Sequence, residues 1–143
     1  MSVEEVREKV RRILTDHFGS IRVDRDGDVL FEVDSAFGYV GVQDWRDGET
    51  IVKIKSFLLR DVDLTPEVYK WAAVEGQSRW FAHACVLVNP ENPNQGMITW
   101  EYDLLGNSID PDELVTCVVT VMGGANHMDD ELQKRFGGRK GAD

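Results

Sequence analysis

His83 and Cys85 stand two apart, and on an extended strand that spacing puts an imidazole and a thiol on the same face. Both are zinc-type ligands, but a closed site needs two further donors. Cys117 and His127 offer that chemistry further along, yet they fall ten residues apart on a helical stretch. A buried cysteine and a half-buried histidine are the expectation, and no metal ligand is assigned. Glu101 and Asp103 also share a strand face, as the paired acids of a glycosidase do, although exposed strand carboxylates are the commoner source of such a pair. Asp24, Asp26, Gly27 and Asp28 have the composition of a calcium loop. With Gly27 as its turn glycine, the loop would begin at Arg22 and end at Val33, and neither is a calcium ligand. A solvated hairpin turn accounts for these residues.

Nucleophilic catalysis finds no support. Ser78 and Ser108 lie near turns without a nucleophile elbow, and Cys85 sits in an apolar run that raises a thiol pKa and makes it inert. Gly123-Gly124 lacks the lysine and the preceding strand of a phosphate-binding loop. The expectation is a protein that is not an enzyme, with no catalytic residue, metal or cofactor.

The elements that hold these residues follow from periodicity. Residues 2–18 read as a helix with a Ser2–Glu5 capping box. Its apolar stripe comprises Val3, Val6, Val10, Ile13, Leu14 and Phe18, and Gly19 ends it. A meander follows: Ile21 to Val23, a turn at Arg25-Asp26-Gly27-Asp28, Val29 to Val33, Tyr39 to Trp45, a turn at Asp47-Gly48, and Ile51 to Leu59. Turns this short require antiparallel neighbours. Thr65-Pro66-Glu67 opens a second helix, which weakens at Gly76. Residues 79–88 read as a strand, 89–96 as a loop, and Met97 to Leu105 as a strand. Asp110-Pro111-Asp112-Glu113 opens the last helix, with Gly123-Gly124 marking a bend or a close approach to the sheet. Residues 1–136 form one α+β domain: an antiparallel sheet with helices in the order α-β-β-β(-β)-α-β-β-α. Residues 137–143 read as a flexible tail without packing residues.

The 143 residues carry 16 basic and 26 acidic side chains, a net charge of −10. A pI near 4.7 disfavours phosphate backbones and anionic lipid, so nucleic acid and membrane are excluded as partners. No apolar run approaches the roughly 18–20 residues that span a bilayer, the N-terminus has no signal-peptide pattern, and a cytoplasmic location is expected. Two distant cysteines suit a reducing compartment.

Apolar surplus is the more informative feature. From Trp80 to Val88 both strand faces are apolar and both need cover. Three helices can cover one. The other calls for a twin subunit, an extended peptide, or one helix wrapped to the far side. Phe81, Leu87, Tyr39 and Trp45 are the candidate partner-binding anchors, with ordinary core packing as the rival reading of each.

Leu64-Thr65-Pro66-Glu67, two strands, then Ile109-Asp110-Pro111-Asp112-Glu113-Leu114 and the acidic segment Ala125 to Leu132 resemble the YbjN and type III secretion chaperone-like (CesT-like) superfamily over residues 2–136. The resemblance implies a non-enzymatic, chaperone-like module that holds extended segments of a protein or peptide client, in secretion or regulation, often as a homodimer. Client-strand addition to an edge such as 51–59 would fit. The alternative is a small-ligand carrier or small enzyme with a cavity between helices and sheet, lined by Trp100 and Tyr102.

Overall fold

The computed structural model describes residues 1–143. Three helices and seven strands follow one another as α1 (Val3–Phe18), β1 (Arg22–Val23), β2 (Val29–Val33), β3 (Ala36–Arg46), β4 (Glu49–Asp63), α2 (Pro66–Val74), β5 (His83–Asn89), β6 (Asn92–Leu105), α3 (Pro111–Phe136) and β7 (Arg139–Lys140). The strands form one antiparallel sheet in the order β1-β2-β3-β4-β6-β5, with β7 beside the far end of β4. This is the α+β architecture expected from the periodicity.

Local chemistry sets the element ends. Ser2 accepts from the Glu5 amide while the Glu5 carboxylate accepts from the Ser2 amide, so two first-turn donors are satisfied together. Asp110 does the same for the Glu113 amide at 2.9 Å. Thr65 has the extended backbone of an N-cap, but its hydroxyl makes no capping bond and Pro66 alone sets the start of α2. Gly27 and Gly48 both take positive φ in their hairpin turns. Asp24 accepts from the amides of Asp26 and Asp28, both at 2.9 Å, which engages its carboxylate within the turn.

All three helices lie on one face of the sheet. α1 packs on β3, α3 crosses β2, β3, β4 and β6, and α2 rests on β5. Between these layers Val6, Val10, Leu14, Val52, Ile54, Leu58, Ile98, Trp100, Leu114, Val118 and Val121 make a continuous core. α3 runs unbroken through Gly123-Gly124, and the second glycine is where it meets the sheet. A Cβ on Gly124 would lie 3.2 Å from the Trp100 indole nitrogen, whereas one on Gly123 would meet nothing. Of the two expected roles for this pair, close approach is the one observed.

Several expectations are corrected. Strand 79–88 begins only at His83, because residues 76–81 wind through a turn that Ser78 closes onto the Glu75 carbonyl and that ends with Phe81 at φ 57°. A left-handed residue cannot continue a pleat. The 89–96 loop shrinks to a tight turn at Pro90-Glu91, since Asn92 already pairs with Asn89. Pro93 is tolerated because the ladder to β4 starts beyond it, at Gln95. Strand 51–59 is not an edge: β4 is central, flanked by β3 and β6. Residues 137–143 do not hang free, because Arg139 and Lys140 pair with Arg60 and Leu59 and the Ala142 amide donates to the Ser35 carbonyl at 3.0 Å. Backbone pairing needs no apolar side chains, which is why composition hid this segment.

Candidate functional site

β5 is the outermost strand on its side of the sheet. The Ala84 amide turns outward and donates to the Gly76 carbonyl at 2.9 Å. Strand alternation then gives Val86 and Val88 the other outward-facing N–H and C=O groups, and no strand lies beyond them. The strand reads His-Ala-Cys-Val-Leu-Val-Asn, with no lysine, proline or carboxylate to discourage pairing. Apolar side chains flank both ends. Trp80, 84% exposed, and Phe81 precede it, while Leu87 and Val88, 39% and 47% exposed, close it.

Of the four candidate anchors, the structure brings two to this strand. Phe81 packs edge-on against Tyr102, ring centroids 5.9 Å apart, on the helix side of the sheet. Leu87 lies on the opposite face, across from Met97. Tyr39 and Trp45 belong to β3, which β4 and β6 separate from β5. Trp45 is exposed with the Arg46 guanidinium 4.2 Å over its ring, and Tyr39 is half-buried beside Phe57. Trp80 is not among the anchors expected from the sequence, because its periodicity places it inside a strand. The diglycine of α3 was its signal: Trp80, Trp100, Val119, Gly123, Gly124 and His127 border a groove of about 520 Å³ that exists because neither glycine fills it.

The sheet face away from the helices carries no element at all. In register across it run Tyr39, Lys55, Glu101 and His83, and beside them Gly41, Lys53 and Asp103. Its side chains cover one another instead. Phe37 and Phe57 stack, with the Arg60 guanidinium 4.6 Å over the Phe57 ring. Lys53 bridges Glu101 at 3.1 Å and Asp103 at 2.9 Å, and Thr99 donates to Glu101 at 2.6 Å. Glu101 is therefore only 7% exposed, against the expectation of a solvated strand carboxylate, whereas Asp103 is exposed as expected.

Burial pushes the Glu101 carboxyl up, but the Thr99 hydroxyl and the Lys53 ammonium outweigh it and hold it below the usual carboxylate range. A depressed, ion-paired carboxylate is a poor general acid. Burial and the neighbouring Glu101 push the Cys85 thiol up, which leaves it a weak nucleophile. Trp100 and Tyr102 do face the helices, but Trp100 is fully buried core and Tyr102 lies under Phe81, so they line no enclosed cavity between the layers.

A family model described as TY-Chap1, T3SS (YopN, CesT) and YbjN peptide-binding chaperone 1, matches residues 4–143. Among solved structures the fold is similar to the ExsC–ExsE complex, at 12% identity and a TM-score of 0.61, covering 86% of this chain and 92% of that one. It is similar to the HopA1–SchA chaperone–effector complex at 7% identity and a TM-score of 0.58, covering 91% and 98%. It is also similar to YbjN from E. coli at 10% identity and a TM-score of 0.61, covering 90% and 93%. No curated protein matches the sequence. No helix is long and apolar enough to cross a membrane.

Proposed function

The chain belongs to the T3SS and YbjN peptide-binding chaperone family, and on that premise we propose that it holds an extended segment of a client protein along the outer edge of β5, without catalysis. The observation that carries this reading is an unguarded edge: Val86 and Val88 present free backbone groups, with exposed apolar side chains at both ends of the strand. A client strand added there would gain backbone hydrogen bonds worth about 1 kcal/mol each, and its side chains would find Trp80 and Phe81 on one side and Leu87 on the other. Phe81 and Leu87 act as anchors in this reading, joined by Trp80. Tyr39 and Trp45 lie too far from the edge to touch the same strand and would meet only a client that continues across the bare face. The similarity to a chaperone–effector complex supports a client of the same kind, and the family's description as a type III secretion and YbjN peptide-binding chaperone supports a role in secretion or regulation. A cytoplasmic location and pairing with a second copy belong to the same reading.

The test has two stages. A client captured from the native host is identified by mass spectrometry, and its bound segment is made as a peptide. Titrated into isotopically labelled protein, the peptide should shift and protect the Val86 and Val88 amides, and Val86→Pro should lose binding, because the proline ring removes an outward N–H while leaving the ladder to β6. Binding that persists in Val86→Pro, with shifts confined to α1 or β2, would refute edge addition. Light scattering of the free protein checks the homodimer.

A further inference from the structure

The bare face holds a second, chemically different feature at the root of the same strand. His83 and Glu101 are cross-strand partners, and Cys85 is two residues along from His83 on the same face. An imidazole nitrogen, the Cys85 sulfur and a Glu101 carboxylate oxygen all lie within 4.8 Å of one another. The sequence offered His83 and Cys85 as an incomplete pair, and the fold supplies the missing donor from β6.

We propose that His83, Cys85 and Glu101 form a three-ligand site for a zinc-type divalent cation, with a fourth position open to solvent. The donor set of one nitrogen, one sulfur and one oxygen suits zinc or cobalt rather than calcium or magnesium, which take oxygen ligands. The geometry is held from behind. Thr99, itself fully buried, donates to Glu101 Oε2 at 2.6 Å and fixes the carboxylate plane, as outer-shell partners of metal ligands do. His83 is exposed and gives the ion a path in. Charge also balances. Lys53 shares Glu101 and Asp103, at 3.1 and 2.9 Å, so when the metal takes the Glu101 charge the ammonium keeps Asp103 as its counter-ion. Lys55, the register partner of Glu101, is drawn toward the Phe57 ring, 5.8 Å from its centroid. Binding releases one proton from the Cys85 thiol to solvent, and the doubly charged cation is then neutralised by the thiolate and the carboxylate.

Cobalt(II) titrated into tag-free, reduced protein tests the site. The expected result is a thiolate-to-cobalt charge-transfer band in the near ultraviolet that saturates at one equivalent, is accompanied by the intense visible bands of four-coordinate cobalt, and is displaced by zinc. Cys85→Ser should abolish the charge-transfer band, while Cys117→Ser, which alters a buried thiol on the other side of the sheet, should keep it. His83→Ala, at an exposed position, should keep the far-ultraviolet circular dichroism and weaken cobalt binding at least about tenfold. Absence of a charge-transfer band, its persistence in Cys85→Ser, or unchanged affinity in His83→Ala would overturn the proposal. None of these readouts involves a client, so this inference and the edge-binding reading fail separately.

Discussion

The two ends of the sheet solve the same problem in opposite ways. At one end β1 is two residues long, its Arg22 lies near Glu32 of β2, and the turn that follows is tied down by Asp24 and by Arg11, which donates to the Gly27 carbonyl at 3.1 Å. A short, charged edge strand is a standard protection against further pairing. At the other end β5 is seven residues long, uncharged and flanked by exposed Trp80 and Val88. The same chain therefore carries the means to blunt an edge and leaves one edge unblunted. The aggregation hazard of an open β edge is the same physics as strand capture, so the unprotected edge is where the proposed client strand would pair.

The contrast can be broken hardest at Gly96. A Cβ there would sit 2.1 Å from the Leu87 carbonyl oxygen, so Gly96→Ala should force β5 off β6 and cost upwards of about 3 kcal/mol in urea unfolding. At the blunted end, Gly27 has φ 90° and a Cβ would meet only long, flexible side chains, Arg11 at 3.0 Å and Arg7 at 3.3 Å. Gly27→Ala should therefore cost about 1–2 kcal/mol, chiefly from backbone strain. Near-equal losses for the two variants would remove the distinction between a packed strand pair and an isolated turn.

Acid sharpens the picture of the bare face. Glu101 has a folded pKa below its unfolded value, so its contribution is complete above the unfolded carboxyl range near 4.3 and is lost as pH falls through the lower folded value. Wild-type stability should consequently fall more steeply below about pH 4 than that of Glu101→Gln, by equilibrium unfolding across that range. Parallel pH curves would mean that Lys53 and Thr99 leave the carboxyl unperturbed.

The smallest effect on stability belongs to Trp80. At 84% exposure it buries little, and Trp80→Ala should change the unfolding free energy by no more than about 0.5 kcal/mol. Its effect on client affinity should be larger, about tenfold or more by calorimetry, if the ring anchors a client strand at the head of β5. A large stability loss would instead identify Trp80 as a packing residue.

Much of the fold was legible from neighbouring residues. The Ser2–Glu5 box, the Asp110 cap, Pro66 and Pro111, and the glycines of two hairpins act within three or four positions, and each does in the structure what its type predicts. The family resemblance rested on two of these markers, the helix starts at Pro66 and Pro111, together with the acidic segment of α3, and is supported over residues 4–143. The site was read less well. Trp80 and Phe81 run straight into the apolar residues of β5, and nothing local announces that Phe81 turns left-handed. Pro90 to Gly96 has a loop's composition but serves as a hairpin, because its prolines fall where the ladders do not need their N–H. The acidic segment of α3 was legible as charge, yet Asp129 within it is buried and accepts from Ser35 at 2.5 Å, holding the β2–β3 turn.

The sequence by itself determined the caps, the turns, the alternation of each strand and the stripe of each helix, because these depend on backbone sterics and hydrogen bonds within a few residues. Only the tertiary structure decided which strand lies outermost, that no helix crosses to the far face, and that His83 meets Glu101. Those outcomes turn on pairings between residues far apart in the chain. They are chosen by the total area the layers bury together, and a period of two can say which side chains share a face but not which strand lies beside them.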